Sequence, residues 1–219
     1  MYFRMLYDAP SGALSYLLAD LNAGEAVLID PRGPDLPVLQ AMLAEHRLHL
    51  RWVLRTHAHE AADVTDAADA RLAALPPPLL PPLLAAQVPE GGILPFGDEH
   101  IAVRATPGHT AGCLSFHWRD RLFCGDLLST GECPQQPWPS APQALWDSVT
   151  REVFTLPPET LLFAAHWRDG DHAASGAGIG QVVSTVLEQR RRHPWFSADS
   201  RDAFLTHLAA LTPTPQRPS

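Results

Sequence analysis

Cysteine is scarce in this chain, and its few cysteines form no paired framework. The 219 residues contain only Cys113, Cys124 and Cys133. An odd, low count argues against a small disulfide-stabilised fold and favours a reducing compartment. Residues 1–6 have a strand-like pattern and lack the long apolar region of a signal peptide. We therefore expect a soluble, cytoplasmic protein.

Positive charge is also in short supply. The chain has 16 lysines and arginines against 24 aspartates and glutamates, which gives a formal net charge of −8. Nucleic-acid phosphates are bound by basic patches, so this balance argues against a nucleic-acid partner. The basic run at residues 190–192 falls at a predicted helix end, where it complements the helix dipole.

Long apolar runs are absent as well, so we expect no membrane partner. The leucine-rich stretch at residues 75–85 is interrupted by five prolines, and residues 75–82 are predicted to be an irregular connector. Apolar residues make up 46% of the chain, which suits a globular core. We expect a single domain at residues 1–211, followed by a loose tail at residues 212–219.

Predicted strands and helices alternate along the chain. Short apolar segments predict strands at residues 1–6, 13–18, 26–29, 52–54, 100–105, 114–116, 122–124 and 161–164, with a turn at 95–99. Apolar periodicity predicts helices at about residues 35–45, 60–72, 142–154, 179–192 and 199–211. This alternation indicates a layered α/β fold with functional side chains at strand ends.

Histidines and one aspartate follow the predicted strands at places where the chain turns. His57 and His59 come just after the strand at 52–54, and an extended segment would point both imidazoles the same way. His109 follows a Pro-Gly turn signal, and Asp126 follows the strand at 122–124. Three imidazoles and a carboxylate make a plausible N/O ligand set for a metal. The remaining histidines are expected to be packed or surface residues.

These motifs resemble those of the metallo-β-lactamase superfamily. They are Thr-His-x-His at 56–59, Thr-Pro-Gly-His-Thr-x-Gly-Cys at 106–113, Gly-Asp at 125–126 and Ala-His at 165–166. Within the superfamily, the chain is most similar to the persulfide dioxygenase (sulfur dioxygenase) branch and next to the glyoxalase II branch. The resemblance extends over nearly the whole chain, and it implies a four-layer αββα sandwich.

The superfamily's second metal position is expected to be missing. Its histidine motif usually continues as His-x-His-x-Asp-His, but Ala61 and Ala62 stand at the last two positions here. Alanine cannot bind a metal, whereas dinuclear hydrolases need two ions to activate a hydroxide. A two-zinc hydrolase is therefore disfavoured.

The first metal position keeps its ligands. His57, His109 and Asp126 supply two imidazoles and one carboxylate, a composition that leaves positions open on Fe(II) for oxygen chemistry. The resemblance implies this ligand set and one Fe(II) per chain; Zn(II) is the alternative, but it has no redox chemistry. His59 is expected to orient the ligands or to bind occasionally, and His166 is expected to lie near the site.

The resemblance implies that the substrate is a persulfide, usually glutathione persulfide, oxidised by O2 to sulfite. The family carries a Gly-Arg-Thr-Asp-Phe-like loop after the metal aspartate, whose arginine meets the carboxylate of glutathione. Here that loop is residues 131–136, and Glu132 would repel an anionic tripeptide. Either the substrate is another persulfide or thiol, or Arg55 or Arg168 contacts it instead. Cys133 is either a persulfide carrier or a thiol of the pocket wall.

Three hypotheses of different classes stay open. The first is a mononuclear iron dioxygenase that acts on a persulfide. The second is a single-metal thioester hydrolase of the glyoxalase II type. The third is a non-catalytic protein that keeps the fold and part of the site. The family also implies a homodimer; Trp195 and Phe196 could lie at its interface, but core packing explains them equally well.

Overall fold

Two β-sheets form the centre of the molecule. The computed structural model describes residues 1–58, 79–80, 92–129, 133–167, 183–196 and 201–211. The first sheet contains β1 (Tyr2–Asp8), β2 (Ala13–Asp20), β3 (Glu25–Ile29), β4 (His49–Leu54) and β5 (Leu79–Leu80), in that order. The strands β1 to β3 are antiparallel, whereas β4 runs parallel to β3 and to β5.

The second sheet carries most of the chemistry-bearing loops. It contains β6 (Ile93–Phe96), β7 (Glu99–Ala105), β8 (Leu114–Trp118), β9 (Arg121–Phe123), β10 (Leu161–Phe163) and β11 (Val183–Thr185), in the order β11-β10-β9-β8-β7-β6. The strands β6 to β9 form an antiparallel meander, and β10 runs parallel to β9. This parallel pair brings the residues that follow β9 and β10 to the same edge of the sheet.

Helices cover the outer faces. They are α1 (Leu36–Glu45), α2 (Pro142–Ser148), α3 (Val186–Arg192) and α4 (Arg201–Leu211). A capping box begins α3, because Thr185 accepts from the amide of Glu188 while the Glu188 carboxylate accepts from the amide of Thr185. Across the described ranges, no helix is both long and apolar enough to traverse a lipid bilayer.

Alternation along β2 explains how the layers are built. Tyr16 and Leu18 lie in the core between the two sheets, whereas Leu17 and Ala19 pack in the cluster that includes Leu39 of α1. Side chains of a strand alternate between its faces, so a strand buried on both sides must be apolar throughout. A third cluster packs the second sheet against α2, α3 and α4. The predicted four-layer αββα sandwich is confirmed.

Several local predictions were wrong. Residues 75–82 were predicted as an irregular connector, but Leu79–Leu80 is a strand that pairs with β4. The prolines on either side gave no sign of this strand, because it depends on pairing with the edge of β4. The helix predicted at 179–192 begins only at Val186, because Val183–Thr185 is a strand, as its β-branched composition favours. The turn predicted at 95–99 contains fewer residues, since β6 continues to Phe96 and β7 begins at Glu99.

Other predictions agree in part or fall elsewhere. The helix predicted at 142–154 is α-helical only to Ser148 and continues as a π-type turn over Val149–Val153. The helix predicted at 60–72 and the tail at 212–219 lie outside the described residues. The single-domain boundary at residue 211 stays a prediction.

His193 should make the fold sensitive to acid. Burial first, and then the charges of Arg192 and His207, lower the pKa of His193 from 6.5 to about 4. Between these values the unfolded chain binds a proton that the folded chain does not, so stability falls as the pH drops from 6.5 towards 4. The full contribution is about 3 kcal/mol, at roughly 1.4 kcal/mol per pKa unit.

Urea unfolding of the wild-type protein and of His193→Gln at several pH values tests this. The variant is expected to lose less stability than the wild type across that window. His100→Gln, at an exposed position, is the matched control and should keep the wild-type slope. If the free energy of unfolding fell equally with pH in the wild type and in His193→Gln, His193 would not be the source of the acid sensitivity.

Candidate metal centre

In the segment after β4, one ring nitrogen of His57 contacts Thr56 and the other faces Asp126. His57 is buried, and its Nδ1 lies 3.0 Å from Thr56 Oγ1. The Thr56 hydroxyl donates to Asp30 Oδ2 at 2.9 Å, so it is left to accept from Nδ1–H of His57. This tautomer leaves the lone pair on Nε2, which lies 3.3 Å from Asp126 Oδ2.

Asp30 is the anchor of that arrangement. Its backbone is in the left-handed region, at a φ of 49°, and its Oδ1 accepts from the amide of Thr56 at 2.7 Å. Burial raises the pKa of the Asp30 carboxyl to about 6, although the hydrogen bonds from Thr56 and the charge of Arg55 act in the opposite direction. Arg55, predicted from sequence as a weak substrate contact, is thus close enough to Asp30 to influence its charge.

Asp126 is the centre of the buried donors. The amide of His166 donates to Asp126 Oδ1 at 3.1 Å, and His166 Nδ1 lies 2.7 Å from Oδ2. Burial alone would raise the pKa of the Asp126 carboxyl, but the His166 hydrogen bond, and the positive charge that His57, His166 and His109 carry when protonated, bring it well below its usual range. Asp126 is therefore an anion held among imidazoles, the state that a metal ligand requires.

His109 lies beside this group on the loop between β7 and β8. Its ring centroid is 4.9 Å from that of His57, and its Nε2 lies 2.9 Å from the backbone carbonyl oxygen of Gln136. A carbonyl can only accept, so Nε2 carries the proton and Nδ1 carries the lone pair. Metal-binding histidines commonly donate their other N–H to such a carbonyl, which fixes the ring.

The loop that carries His109 is tied down at both ends. The amide of Thr110 donates to Cys113 Sγ at 3.1 Å, and the amide of Leu114 donates to the carbonyl of Thr56 at 2.7 Å. The carbonyl of His109 accepts from the amide of Ser140 at 3.0 Å. These bonds fix the His109 loop relative to the His57 segment.

Four donor groups lie together at this edge. The ligand atoms of His57, Asp126, Cys133 and His166 are all within 4.8 Å of one another, and all four residues are buried. Imidazole, carboxylate and thiol donors together suit a divalent transition metal such as iron or zinc. The residues present therefore fit the ion that the sequence motifs imply.

The structure brings some of the predicted site residues together, and others lie outside the described residues. It brings His57 and Asp126 together, sets His109 against His57, and puts His166 within the donor group and not merely near it. Sequence reasoning did not propose Cys133 as a donor; its position in the loop after Asp126 was the available signal. His59 and Arg168, with the alanines at 61 and 62, lie outside the described residues. The metal-ligand roles stay predictions.

Comparison with known proteins identifies the family. Residues 62–166 match the model of the metallo-beta-lactamase superfamily. Human mitochondrial persulfide dioxygenase ETHE1 is 31% identical over 224 residues, which cover 98% of this chain and 83% of the relative. The chain belongs to the metallo-β-lactamase superfamily.

Two further similarities bear on the branch of the metallo-β-lactamase superfamily. The crystal structure of ETHE1 from Myxococcus xanthus aligns with a TM-score of 0.74 at 31% identity, covering 98% of this chain and 93% of that one. A hydroxyacylglutathione hydrolase from Cereibacter sphaeroides is 34% identical over 179 residues, covering 77% of this chain and 66% of the relative. The resemblance to the persulfide dioxygenase branch, followed by the glyoxalase II branch, is confirmed.

Proposed function

We propose that this protein is a persulfide dioxygenase that holds one Fe(II) ion per chain and oxidises a persulfide to sulfite with O2. The observation that supports this most directly is the buried contact between His57 and Asp126, beside His109, in a chain that is similar to human persulfide dioxygenase over 98% of its length. Two imidazoles and a carboxylate are the ligand composition of iron oxygenases with open coordination positions.

His57, His109 and Asp126 are the residues that would hold the ion. When bound, Fe(II) supplies the redox chemistry that allows dioxygen to react with sulfur, which Zn(II) could not supply. Asp126 is anionic without any proton being removed, because its surroundings lower its pKa well below the usual range. Thr56 and the carbonyl of Gln136 each fix a histidine tautomer, so both imidazoles present a lone pair.

His166 holds a proton at the centre of the site. Its Nδ1–H donates to Asp126 Oδ2, which leaves Nε2 to carry a proton to a departing thiolate. His59, which lies outside the described residues, is proposed to orient the metal ligands. The overall reaction balances, since a persulfide, one dioxygen and one water give the thiol, sulfite and two protons.

The substrate is a small persulfide, with glutathione persulfide as the first candidate. Glu132 in the loop after Asp126 disfavours an anionic tripeptide at that point, so a less acidic persulfide is the second candidate. Arg55 and Arg168 are the proposed contacts for a substrate carboxylate. A homodimer remains part of the proposal.

A single-metal thioester hydrolase is the second candidate function. The similarity to hydroxyacylglutathione hydrolase favours it. In that case the same residues would hold Zn(II), which would supply the activation of a water nucleophile.

Anaerobic loading of the purified protein separates the two functions. Protein loaded with Fe(II) is expected to consume oxygen and release sulfite when it is given glutathione persulfide, whereas Zn(II)-loaded protein should not. A thioester such as lactoylglutathione should be hydrolysed by neither form. Thioester turnover by the Zn(II) form, with no oxygen uptake by the Fe(II) form, would select the hydrolase.

A further inference from the structure

Cys133 is placed inside the donor group, although the proposed function gives it no task. Its side chain is buried, with a relative exposure of 1%. Its Sγ belongs to the same set of ligand atoms as those of His57, Asp126 and His166, all within 4.8 Å of one another. The thiol donates to Gln135 Oε1 at 3.7 Å, in the same segment.

We infer that Cys133 is a direct metal ligand that adds a thiolate to the site's imidazole and carboxylate donors. The inference deepens the proposed function, since it concerns the same site, but it applies to whichever divalent ion the site holds. Coordinated thiols are deprotonated, so the Cys133 thiol would lose its proton when the metal binds. His57, His109, Asp126 and Cys133 would then provide N, O and S donors from three separate segments of the chain.

The segment that begins at Cys133 is built to hold the thiol in place. A few residues on, the carbonyl of Gln136 contacts Nε2 of His109, and the Gln136 side-chain amide donates to the carbonyl of His109. The amide of Ala141 donates to the carbonyl of Gly108 at 3.0 Å. One segment therefore supplies a donor and also fixes the ring of His109. A metal bound to Cys133 would hold this segment, and with it His109, in place.

The burial of Cys133 favours a ligand over a persulfide carrier. A carrier must meet an incoming sulfur donor at the surface, whereas this thiol faces other donor groups and has almost no solvent contact. The other cysteines have different surroundings. Cys113 Sγ accepts from the amide of Thr110, and Cys124 Sγ lies 3.5 Å from the carbonyl oxygen of Phe163.

Cobalt substitution tests the inference without turnover. Co(II) is a spectroscopic substitute for Fe(II) or Zn(II), and a thiolate ligand gives it an intense near-ultraviolet charge-transfer band. The Co(II)-loaded wild-type protein is expected to show this band, and Cys133→Ser should abolish it. Cys124→Ser is the matched control and should keep it. Cobalt affinity should fall at least about 10-fold in Cys133→Ser, by comparison with the effect of losing weaker, outer contacts to a metal site.

X-ray absorption at the cobalt edge covers the case in which Cys133→Ser does not fold. In the wild-type protein it should reveal one sulfur neighbour at roughly 2.3 Å, the usual length of a metal–thiolate bond. A wild-type protein without a sulfur neighbour, or a Cys133→Ser protein that keeps the band, would overturn the inference. So would a persulfide on Cys133, detected by mass spectrometry, in a protein that has no band.

The outcomes separate this inference from the proposed function. A cobalt–sulfur band in a protein that does not consume oxygen with a persulfide supports Cys133 as a ligand and contradicts the dioxygenase. Oxygen uptake by Fe(II)-loaded protein without a cobalt–sulfur band supports the dioxygenase and contradicts the ligand.

Discussion

Replacing Asp126 by alanine is expected to weaken iron binding by more than about 100-fold, because even outer contacts to a metal site are worth 10- to 100-fold in affinity. Asp126 is the only carboxylate in the buried four-donor group found among the described residues. Its loss removes the only carboxylate that offsets the charge of the ion and leaves neutral imidazoles and the Cys133 sulfur. Persulfide-dependent oxygen uptake should fall to the background of the metal-free protein.

Iron content after anaerobic loading and desalting measures this effect directly. Asp120→Ala is the matched control, since Asp120 lies in the turn between β8 and β9 with 59% of its side chain exposed. That variant should bind iron as the wild type does. If Asp126→Ala retained stoichiometric iron, Asp126 could not be a principal ligand.

Replacing Gly125 by alanine should damage both the fold and the site. Gly125 precedes Asp126 with a φ of 58°, and a Cβ there would lie 2.8 Å from Thr56 Oγ1 and 2.9 Å from Thr56 Cβ. The left-handed backbone costs roughly 1–2 kcal/mol for alanine, and overpacking typically adds another 1–3 kcal/mol. Because Thr56 connects Asp30 to His57, any relief of the clash would move His57.

Gly24→Ala isolates the backbone part of this effect. Gly24 also has a positive φ, of 71°, but the nearest atom to its added Cβ would be the Arg47 carbonyl oxygen at 3.6 Å. Urea unfolding should give a loss of about 1–2 kcal/mol for Gly24→Ala and about 2–5 kcal/mol for Gly125→Ala. Only Gly125→Ala should weaken metal binding. Equal losses and unchanged metal affinity in both variants would contradict the role assigned to Thr56.

The elements that could be predicted from the sequence are those that local patterns encode. The buried run of β2 and the apolar segments of β3 and β9 identify strands, because a strand buried on both faces must be apolar throughout. The two-residue β5 could not be predicted, because its pairing with Val53 and Leu54 depends on a neighbouring strand and not on its own proline-rich surroundings.

The candidate site also contains residues that local patterns reveal and residues that they do not. His57, His109 and Asp126 stand out because each follows a predicted strand or turn, and they were predicted from those positions. The support for the site is long-range and left no local pattern. Asp30 holds Thr56 across 26 positions of the chain, and Gln136 faces His109 across 27. Cys133 lies among the donors, and no local pattern of residues marks it.

The central claim is that a single iron ion is shared by His57, His109 and Asp126. Anomalous diffraction at the iron edge, from crystals of anaerobically Fe(II)-loaded protein, tests it most directly. The expected result is one peak per chain, bonded to the carboxylate of Asp126 and to an imidazole nitrogen of each histidine. Two well-occupied peaks, or one peak that does not contact Asp126, would contradict it.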